Sequence, residues 1–126
     1  MRAFKISIVL LIIIIISAIV YIKSLEKVSD EFIQQITQLE DMVKSERWDE
    51  AKKQLEDIED LWIKKEKWMA TLIDHEEIDN IKMTLAKLGE YVYFRETADF
   101  MAESATLKIL IKHIPEKERI STANLF

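Results

Sequence analysis

The hydrophobic and polar positions divide the chain into a wholly apolar segment and a longer amphipathic region. From Ile6 to Ile22 no residue is charged, and the run from Ile12 to Ile16 consists of isoleucine alone. A helix that is apolar on every side has no face to offer to water, and a chain this short cannot enclose it in a core. At about 1.5 Å per residue the segment is roughly 25 Å long, close to the ~30 Å hydrocarbon thickness of a bilayer. We therefore predict that residues 6–22 form a transmembrane helix in contact with membrane lipid.

The charges that flank the apolar segment predict its orientation. Arg2 and Lys5 precede the segment, whereas Lys23 is the single base directly after it. Because positively charged flanks stay in the cytoplasm, we expect residues 1–5 on the cytoplasmic side and residues 23–126 as an extracytoplasmic domain. The predicted location is the cell membrane, which the chain crosses once.

A cleaved secretory signal is the alternative interpretation of the apolar segment. The apolar core of such a signal usually spans ~7–15 residues and is followed by small residues at the cleavage site. Here the run is longer, and Ser24, with Ile22 two residues before it, offers the best cleavage site. An uncleaved anchor is therefore favoured, and either interpretation exports the acidic remainder.

After the apolar segment, apolar positions recur every three or four residues, which is the spacing of one buried helix face. The pattern predicts helices near residues 24–44, 46–73, 75–94 and 97–114. Ser45 and Asp74 are the expected N-caps of the second and third of these helices. Pro115 is expected to end the fourth, leaving a C-terminal tail whose last residues, Leu125 and Phe126, hook back onto the domain.

These elements predict an all-α fold, with one N-terminal transmembrane helix followed by a small helical domain of about four helices. A single glycine and a single proline leave too few turn residues for a β-sandwich. The domain is expected as a bundle or as two stacked helical hairpins. Trp48 and Ala51 resemble the start of the second helix of a tetratricopeptide hairpin, but the ~34-residue recurrence of such repeats fails, since these positions map onto Lys82 and Leu85.

Charge and cysteine content narrow the classes of partner and of site. Residues 24–126 carry 15 bases against 23 acids, because three of the 18 basic residues precede them. A domain this acidic repels phosphate backbones, so nucleic acid is not expected as a partner. The absence of cysteine excludes disulfides, thiolate zinc sites and a cysteine nucleophile.

The stretch from His75 to Asp79 is the nearest approach to a catalytic motif. A glutamate follows the histidine, as in zinc proteases in which two histidines a turn apart hold the metal. Here Asp79 replaces the second histidine, and His113 is the one other histidine of the chain. A capped helix start, with Asp74 as N-cap and acids in the first turn, explains the stretch more simply. We expect no enzymatic activity, no cofactor and no metal, and keep a hydrolase using His75, Glu76 and Asp79 as a remote alternative.

Trp68, Tyr91 and Tyr93 are candidate contacts for a partner or a ligand. Trp68 is rotated by roughly 120° from Trp62 at 100° per residue, so the two do not share a helix face. Exposed aromatic side chains often anchor interfaces, whereas packing in the core is the competing interpretation. His75, at the start of the third helix, completes this set of candidate contact residues.

The chain as a whole resembles a known family. The features that carry the resemblance are the basic N-terminus, the single span, Trp48 with Ala51, Trp62, Trp68, Leu72-Ile73, His75-Glu76-Glu77-Ile78 and the closing Asn124-Leu125-Phe126. They are similar to a family of small bacterial membrane-anchored proteins catalogued as domain of unknown function 4363. The resemblance implies a bacterial, single-span, helical protein and assigns no catalytic or ligand residue.

Three functions are compatible with these sequence features. The first is an accessory or scaffold subunit that presents an acidic helical interaction domain to another membrane or envelope protein. The second is an extracytoplasmic small-ligand or ion-sensing domain with a pocket between the hairpins near His75 and Trp68. The third is the remote metal-dependent hydrolase. A homo-oligomer is also expected as an option, because the apolar stripe from Leu25 to Val43 can pair with its own copy.

Overall fold

Four helices contain almost all of the residues, and short turns join them. The computed structural model describes residues 1–124 in full and the backbone of Leu125. The helices are α1 (Arg2–Lys44), α2 (Trp48–Met69), α3 (His75–Tyr93) and α4 (Thr97–Leu125). No strand occurs within residues 1–125, and the predicted all-α class is confirmed. The expected hook of Leu125 and Phe126 concerns side chains outside the described part of the chain.

The helices form an antiparallel four-helix bundle, one of the two arrangements expected from the sequence. Each of α1 and α3 packs against both α2 and α4. Turns at 45–47, 70–74 and 94–96 reverse the chain between consecutive helices. Phe32 of α1 and Trp62 of α2 meet edge to face in the core, with ring centroids 5.7 Å apart. The other large fully buried side chains are Leu25, Ile36, Leu39, Val43, Ile58, Ile81, Leu88, Phe100 and Leu107.

α1 changes its surroundings along its length. Every residue from Met1 to Ser17 is exposed, whereas from Leu25 onward one face of the helix is buried. An 18-residue window of the exposed part has a mean hydropathy of 2.9, so this part is long and apolar enough to cross a membrane. We call the end of the bundle beside this segment the near end. The opposite end, with the turns at 45–47 and 94–96, is the far end.

The two far-end turns share one backbone conformation. Glu46 and Arg95 both have a positive φ of 56°. The amides of Glu46 and Arg47 donate to carbonyls of the last turn of α1, and those of Arg95 and Glu96 do the same for α3. This is a Schellman arrangement with a non-glycine residue in the left-handed position.

Ser45 is not the N-cap of α2, contrary to the sequence prediction. It is the C-cap residue of α1, and Arg47 holds the N-cap position of α2. The Schellman bonds extend the turn by two residues beyond Ser45, so α2 begins at Trp48. α2 also ends at Met69, before the predicted boundary at residue 73.

Pro115 does not end α4, again contrary to the sequence prediction. The helix continues to Leu125, and the tail expected after residue 114 is helical. A proline lacks the amide proton that would bond to the carbonyl four residues earlier, here that of Ile111. The Ser29 hydroxyl of α1 donates to the Ile111 carbonyl at 3.2 Å, and both Ser29 and Pro115 are buried. A tertiary hydrogen bond therefore satisfies the carbonyl that the proline leaves without its usual partner.

A second polar contact joins α1 and α4 nearer the far end. The Glu40 carboxylate of α1 is buried and accepts hydrogen bonds from Ser104 Oγ at 2.8 Å and from Lys108 Nζ at 2.7 Å. A buried carboxylate is costly unless it is paired and hydrogen-bonded, and both conditions hold here.

Candidate functional site

A groove of about 620 Å³ between α1 and α2 is lined mainly by polar side chains, whereas a smaller groove between α2 and α3 has more apolar walls. Of the four neighbouring helix pairs, α2 and α3 make the least extensive contact. At the far end the space between them is a groove of about 460 Å³. Trp48 and Leu55 line it from α2, and Gly89 and Tyr93 line it from α3.

The groove continues toward the near end as a shallower depression. Trp62 and Ile63 of α2 face Lys82 and Leu85 of α3 around a space of about 220 Å³. Glu59 borders both spaces, and we call the two together the α2–α3 groove. From Trp48 to Ile63 the groove runs about 22 Å along α2, the length of about four helical turns.

Gly89 keeps the far part of the groove open. A Cβ at this position would meet Leu55 Cδ2 at 3.9 Å, an ordinary contact distance, and its backbone has an unexceptional φ. The glycine is therefore required neither for backbone conformation nor for close helix packing. A larger side chain here would project into the groove.

The rim of the groove carries an excess of acidic side chains. Around its far part the acids are Asp49, Glu56, Glu59 and Glu90, against Lys52 and Arg95. Burial, together with repulsion from the neighbouring Glu56 and Asp60, raises the pKa of Glu59 above its ordinary value. A ligand that brings positive charge to this rim would relieve the repulsion.

Exposed aromatic rings stand at the far mouth of the groove. Tyr93 and Phe94 are 76% and 63% exposed, and their rings stack edge to face with centroids 5.0 Å apart. Large apolar rings left in water beside a groove are typical of interaction surfaces.

The structure separates the four predicted contact residues into two pairs. Tyr93 lines the α2–α3 groove, and Tyr91 is half-buried against the core. Trp68 is 40% exposed near the end of α2, and His75 is exposed at the start of α3. His75 and Tyr93 stand at opposite ends of α3, about 27 Å apart along its axis. The four residues therefore do not form one site, and neither Trp68 nor His75 lines the groove.

Around His75 the structure shows ion pairs rather than the predicted capping box. Asp74 holds the N-cap position of α3, but its side chain makes no capping hydrogen bond. Its carboxylate instead accepts a hydrogen bond from Lys117 Nζ at 2.6 Å, and Glu77 accepts from the same amine at 3.1 Å. The hydrogen bond from Lys117 lowers the pKa of Asp74. Within the described residues no three His, Asp or Glu side chains are grouped so as to hold a metal ion.

Sequence reasoning missed the groove because its two walls are distant in the chain. Leu55 and Leu85 fit the helical stripes of a core equally well, so nothing in their spacing shows that α2 and α3 diverge. The one local signal is Gly89, the single glycine of the chain, placed inside an amphipathic helix. An interior helical glycine costs stability and frequently marks a packing or functional constraint.

Comparison with known proteins identifies the family and nothing further. The model of a family described as a domain of unknown function, DUF4363, matches residues 19–125. This match covers the whole bundle, so the chain belongs to that family, as its resemblance predicted. No curated protein and no solved structure matches the chain.

Proposed function

We propose that this DUF4363 chain is a single-span membrane protein whose bundle docks a helix of another membrane or envelope protein in the α2–α3 groove. The protein would act as an accessory or scaffold subunit, with residues 1–5 in the cytoplasm and the bundle outside it. A tether confines the bundle near membrane partners, which raises the effective concentration without a high intrinsic affinity.

The observation that carries this proposal is a partly apolar groove, open to solvent, beside a filled seam of the core. A representative seam of the core, around Phe32, Trp62 and Ile111, leaves no volume for a water molecule. The α2–α3 groove instead has the buried Leu55 and Leu85 in its floor and leaves Ile63 and Tyr93 exposed toward its two ends. It extends over about four helical turns, the length over which amphipathic helices dock through residues spaced three and four apart. A filled core with an open outer groove supports binding at the surface.

The charge of the rim favours a basic helix as the occupant. Four acids and two bases line the far part of the groove. Glu56 and Asp60 repel the Glu59 carboxylate, and this repulsion falls when a lysine or arginine approaches the rim. The expected partner segment therefore has an apolar face flanked by basic residues.

Site-specific photocrosslinking in living cells tests the docking site. A photoreactive residue at Tyr93, at the mouth of the groove, is expected to capture a partner, whereas the same residue at Ile109, 68% exposed on α4, is not. Gly89→Leu should abolish the Tyr93 product because its side chain fills the groove, while Ala102→Leu on exposed α4 surface should leave it unchanged. Equal capture from Tyr93 and Ile109, or capture that survives Gly89→Leu, would contradict the proposal.

Cysteine labelling tests the orientation. The chain has no cysteine, so Lys53→Cys on the exposed surface of α2 supplies a unique thiol. A membrane-impermeant maleimide should label it in intact cells. Labelling that requires opened cells would place the bundle in the cytoplasm and refute the proposed topology, whatever the outcome of the crosslinking.

A further inference from the structure

The last turns of α4 extend past the rest of the bundle, along the apolar segment of α1. Lys117 bonds to Asp74 in the turn between α2 and α3, which places the near end of those two helices level with Lys117. α4 continues from there to Leu125, about 12 Å further at 1.5 Å per residue. Within the described residues, these turns therefore lie beside α1 and beyond the ends of α2 and α3.

Polar contacts fix the height of these turns relative to α1. Arg119 forms an ion pair with Glu26, and the Glu118 carboxylate interacts with the Tyr21 hydroxyl. The two helices are antiparallel and rise equally per residue, so six residues beyond Arg119 the backbone of α4 is about level with residue 20 of α1. The end of α4 thus overlaps the part of α1 that is apolar on every side.

The exposure pattern of α1 agrees with this overlap. Residues 1–17 are exposed without exception, whereas Ala18, Tyr21 and Ile22 are half-buried. These three positions have the spacing of a single helix face. α4 is the helix that reaches this level, so it covers that face.

α2 also brings an exposed ring to the same depth. Met69 of α2 packs in one seam with Leu25 and Val28 of α1, so the adjacent Trp68 lies about level with this stretch of α1. Trp68 is 40% exposed, and α2, like α4, packs against α1. The near end therefore has a large exposed side chain on each of the two helices that pack against α1.

We propose that the near end of the bundle rests in the lipid headgroup region, with Ile120 of α4 and Trp68 of α2 in contact with lipid. The inference rests on the proposed membrane span of α1. If residues up to Ile22 lie in hydrocarbon, Ile120, which is about level with Leu25 of α1, lies at headgroup depth. Ile120 is 64% exposed and leaves water there, while tryptophan is the residue that membrane interfaces favour. Lys23 and Lys27, exposed on α1 at this level, place positive charge beside the headgroup phosphates.

Spin labels on the full-length protein test the contact of α4. Ile120→Cys and Ile109→Cys place one label each on the same helix, at native side chains that are 64% and 68% exposed. The protein is reconstituted in vesicles of phosphatidylcholine and phosphatidylglycerol. Accessibility is then measured to oxygen, which concentrates in lipid, and to a nickel chelate, which stays in water. We expect the ratio of oxygen to nickel accessibility to be severalfold higher at residue 120 than at residue 109.

A third spin label distinguishes two negative results: that the near end of the bundle does not contact lipid, and that α1 does not span the membrane. Ile13→Cys lies within the apolar segment and should show the highest ratio of the three. An aqueous signal at residue 13 would refute the span itself. A lipid signal at residue 13 with equal, aqueous signals at 109 and 120 would overturn the headgroup contact alone. Low accessibility to both reagents at 120 would indicate a second copy of the protein there and would also overturn it.

Fluorescence quenching tests Trp68 independently. Brominated lipids quench tryptophans that lie in the bilayer, so the wild-type protein should lose emission in their presence. Trp68→Phe should abolish most of this quenching, whereas Trp48→Phe, which removes a far-end ring, should preserve it. Quenching that is unchanged in Trp68→Phe would remove α2 from the proposed contact.

Discussion

Along the seam between α1 and α4, polar side chains bond to one another inside the bundle, whereas between α2 and α3 they stand at the rim of a groove. Glu40 is held by Ser104 and Lys108, and Ser29 bonds to the Ile111 carbonyl. Between α2 and α3, Glu66 and Lys82 make an ion pair, and the remaining polar side chains border the groove.

The difference separates a seam that is fixed by polar contacts from a seam that is open to the proposed partner helix. Polar bonds at several heights along α1 fix its register against α4, because sliding by one residue would break each of them. α1 is also the helix that continues into the apolar segment, so this seam joins the bundle rigidly to its proposed anchor. The more open seam between α2 and α3 is then free to bind a partner.

The largest expected loss of stability comes from breaking the buried contact of Glu40 in the α1–α4 seam. Lys108→Met removes the cation while retaining the aliphatic stem, and it leaves the buried Glu40 carboxylate with Ser104 as its remaining hydrogen-bond donor. We expect the free energy of unfolding to fall by about 2–3 kcal/mol, below the full cost of breaking a buried pair because Lys108 is partly exposed. Urea unfolding followed by circular dichroism in detergent micelles measures it.

Lys87→Met is the matched control for that variant. Lys87 pairs with Glu103 at 3.4 Å, but the lysine side chain is 59% exposed, and such surface pairs contribute about 0–1 kcal/mol. Equal losses in the two lysine variants would show that the Glu40 contact contributes no more than a surface ion pair.

Removing the hydroxyl that bonds to Ile111 should have the next largest effect. Ser29→Ala leaves the Ile111 carbonyl buried without a donor, at an expected cost of about 1–2 kcal/mol. In a Pro115→Ala background the restored amide supplies that donor, so the same substitution should cost roughly half as much or less. A double-mutant cycle by urea unfolding measures the difference. An identical cost of Ser29→Ala in both backgrounds would refute the link between Ser29 and the proline.

The contrast between the seams also explains what the sequence could and could not predict. The apolar segment and the helical stripes, such as Leu25, Phe32 and Ile36 on α1, follow from local periodicity, and the structure buries these stripes. The prediction that Pro115 ends α4 is wrong, because it rests on local chemistry alone, by which a proline ends a helix. Ser29, which supplies the missing donor, lies 82 residues from Ile111. A helix that continues through a proline because of a distant hydrogen bond cannot be recognised from the residues next to that proline.

The candidate site was harder to predict for a related reason. Residue type suggests Trp68, His75, Tyr91 and Tyr93 as contact residues, but periodicity does not show at which end of the bundle each residue lies. Once the order of the helices is known, His75 and Tyr93 fall at opposite ends of α3. Helix order therefore has to be known before residues from different helices are assigned to one site.

A smaller, stabilising effect is expected in the α2–α3 seam. Gly89→Ala adds a methyl group in ordinary contact with Leu55 and removes a glycine from a helix interior. We expect the free energy of unfolding to rise by about 0.5–1 kcal/mol. Thermal unfolding by circular dichroism measures it, with Ala86→Gly as the reverse change on the same helix. A loss of stability in Gly89→Ala would show that the groove is closed more tightly than its 3.9 Å contact implies.

The smallest expected effects are two changes in the pH dependence of the free energy of unfolding, and they have opposite signs. The pKa of Glu59, in the crowded groove, is raised, so its proton is bound more tightly in the folded state and deprotonation at higher pH destabilises the fold. Glu59→Gln should therefore be more stable than wild type at neutral pH. The difference in free energy of unfolding should shrink as the pH falls from the raised pKa toward the ordinary glutamate value of about 4.5. The pKa of Asp74, paired with Lys117, is lowered, so Asp74→Asn should be less stable than wild type above about pH 4, with that gap closing as the pH falls through the lowered pKa.

Parallel urea titrations of both variants across pH 3–7 compare the two carboxylates directly. The sign of each gap at neutral pH reports whether its surroundings favour the charged form. Glu59 loses hydration in the groove and is repelled by Glu56 and Asp60, and a basic partner helix would relieve that repulsion. At the near end, Asp74 already has its counter-ion within the bundle. Gaps of the same sign would remove the electrostatic distinction between the groove and the near end, and with it the argument that the groove prefers a basic occupant.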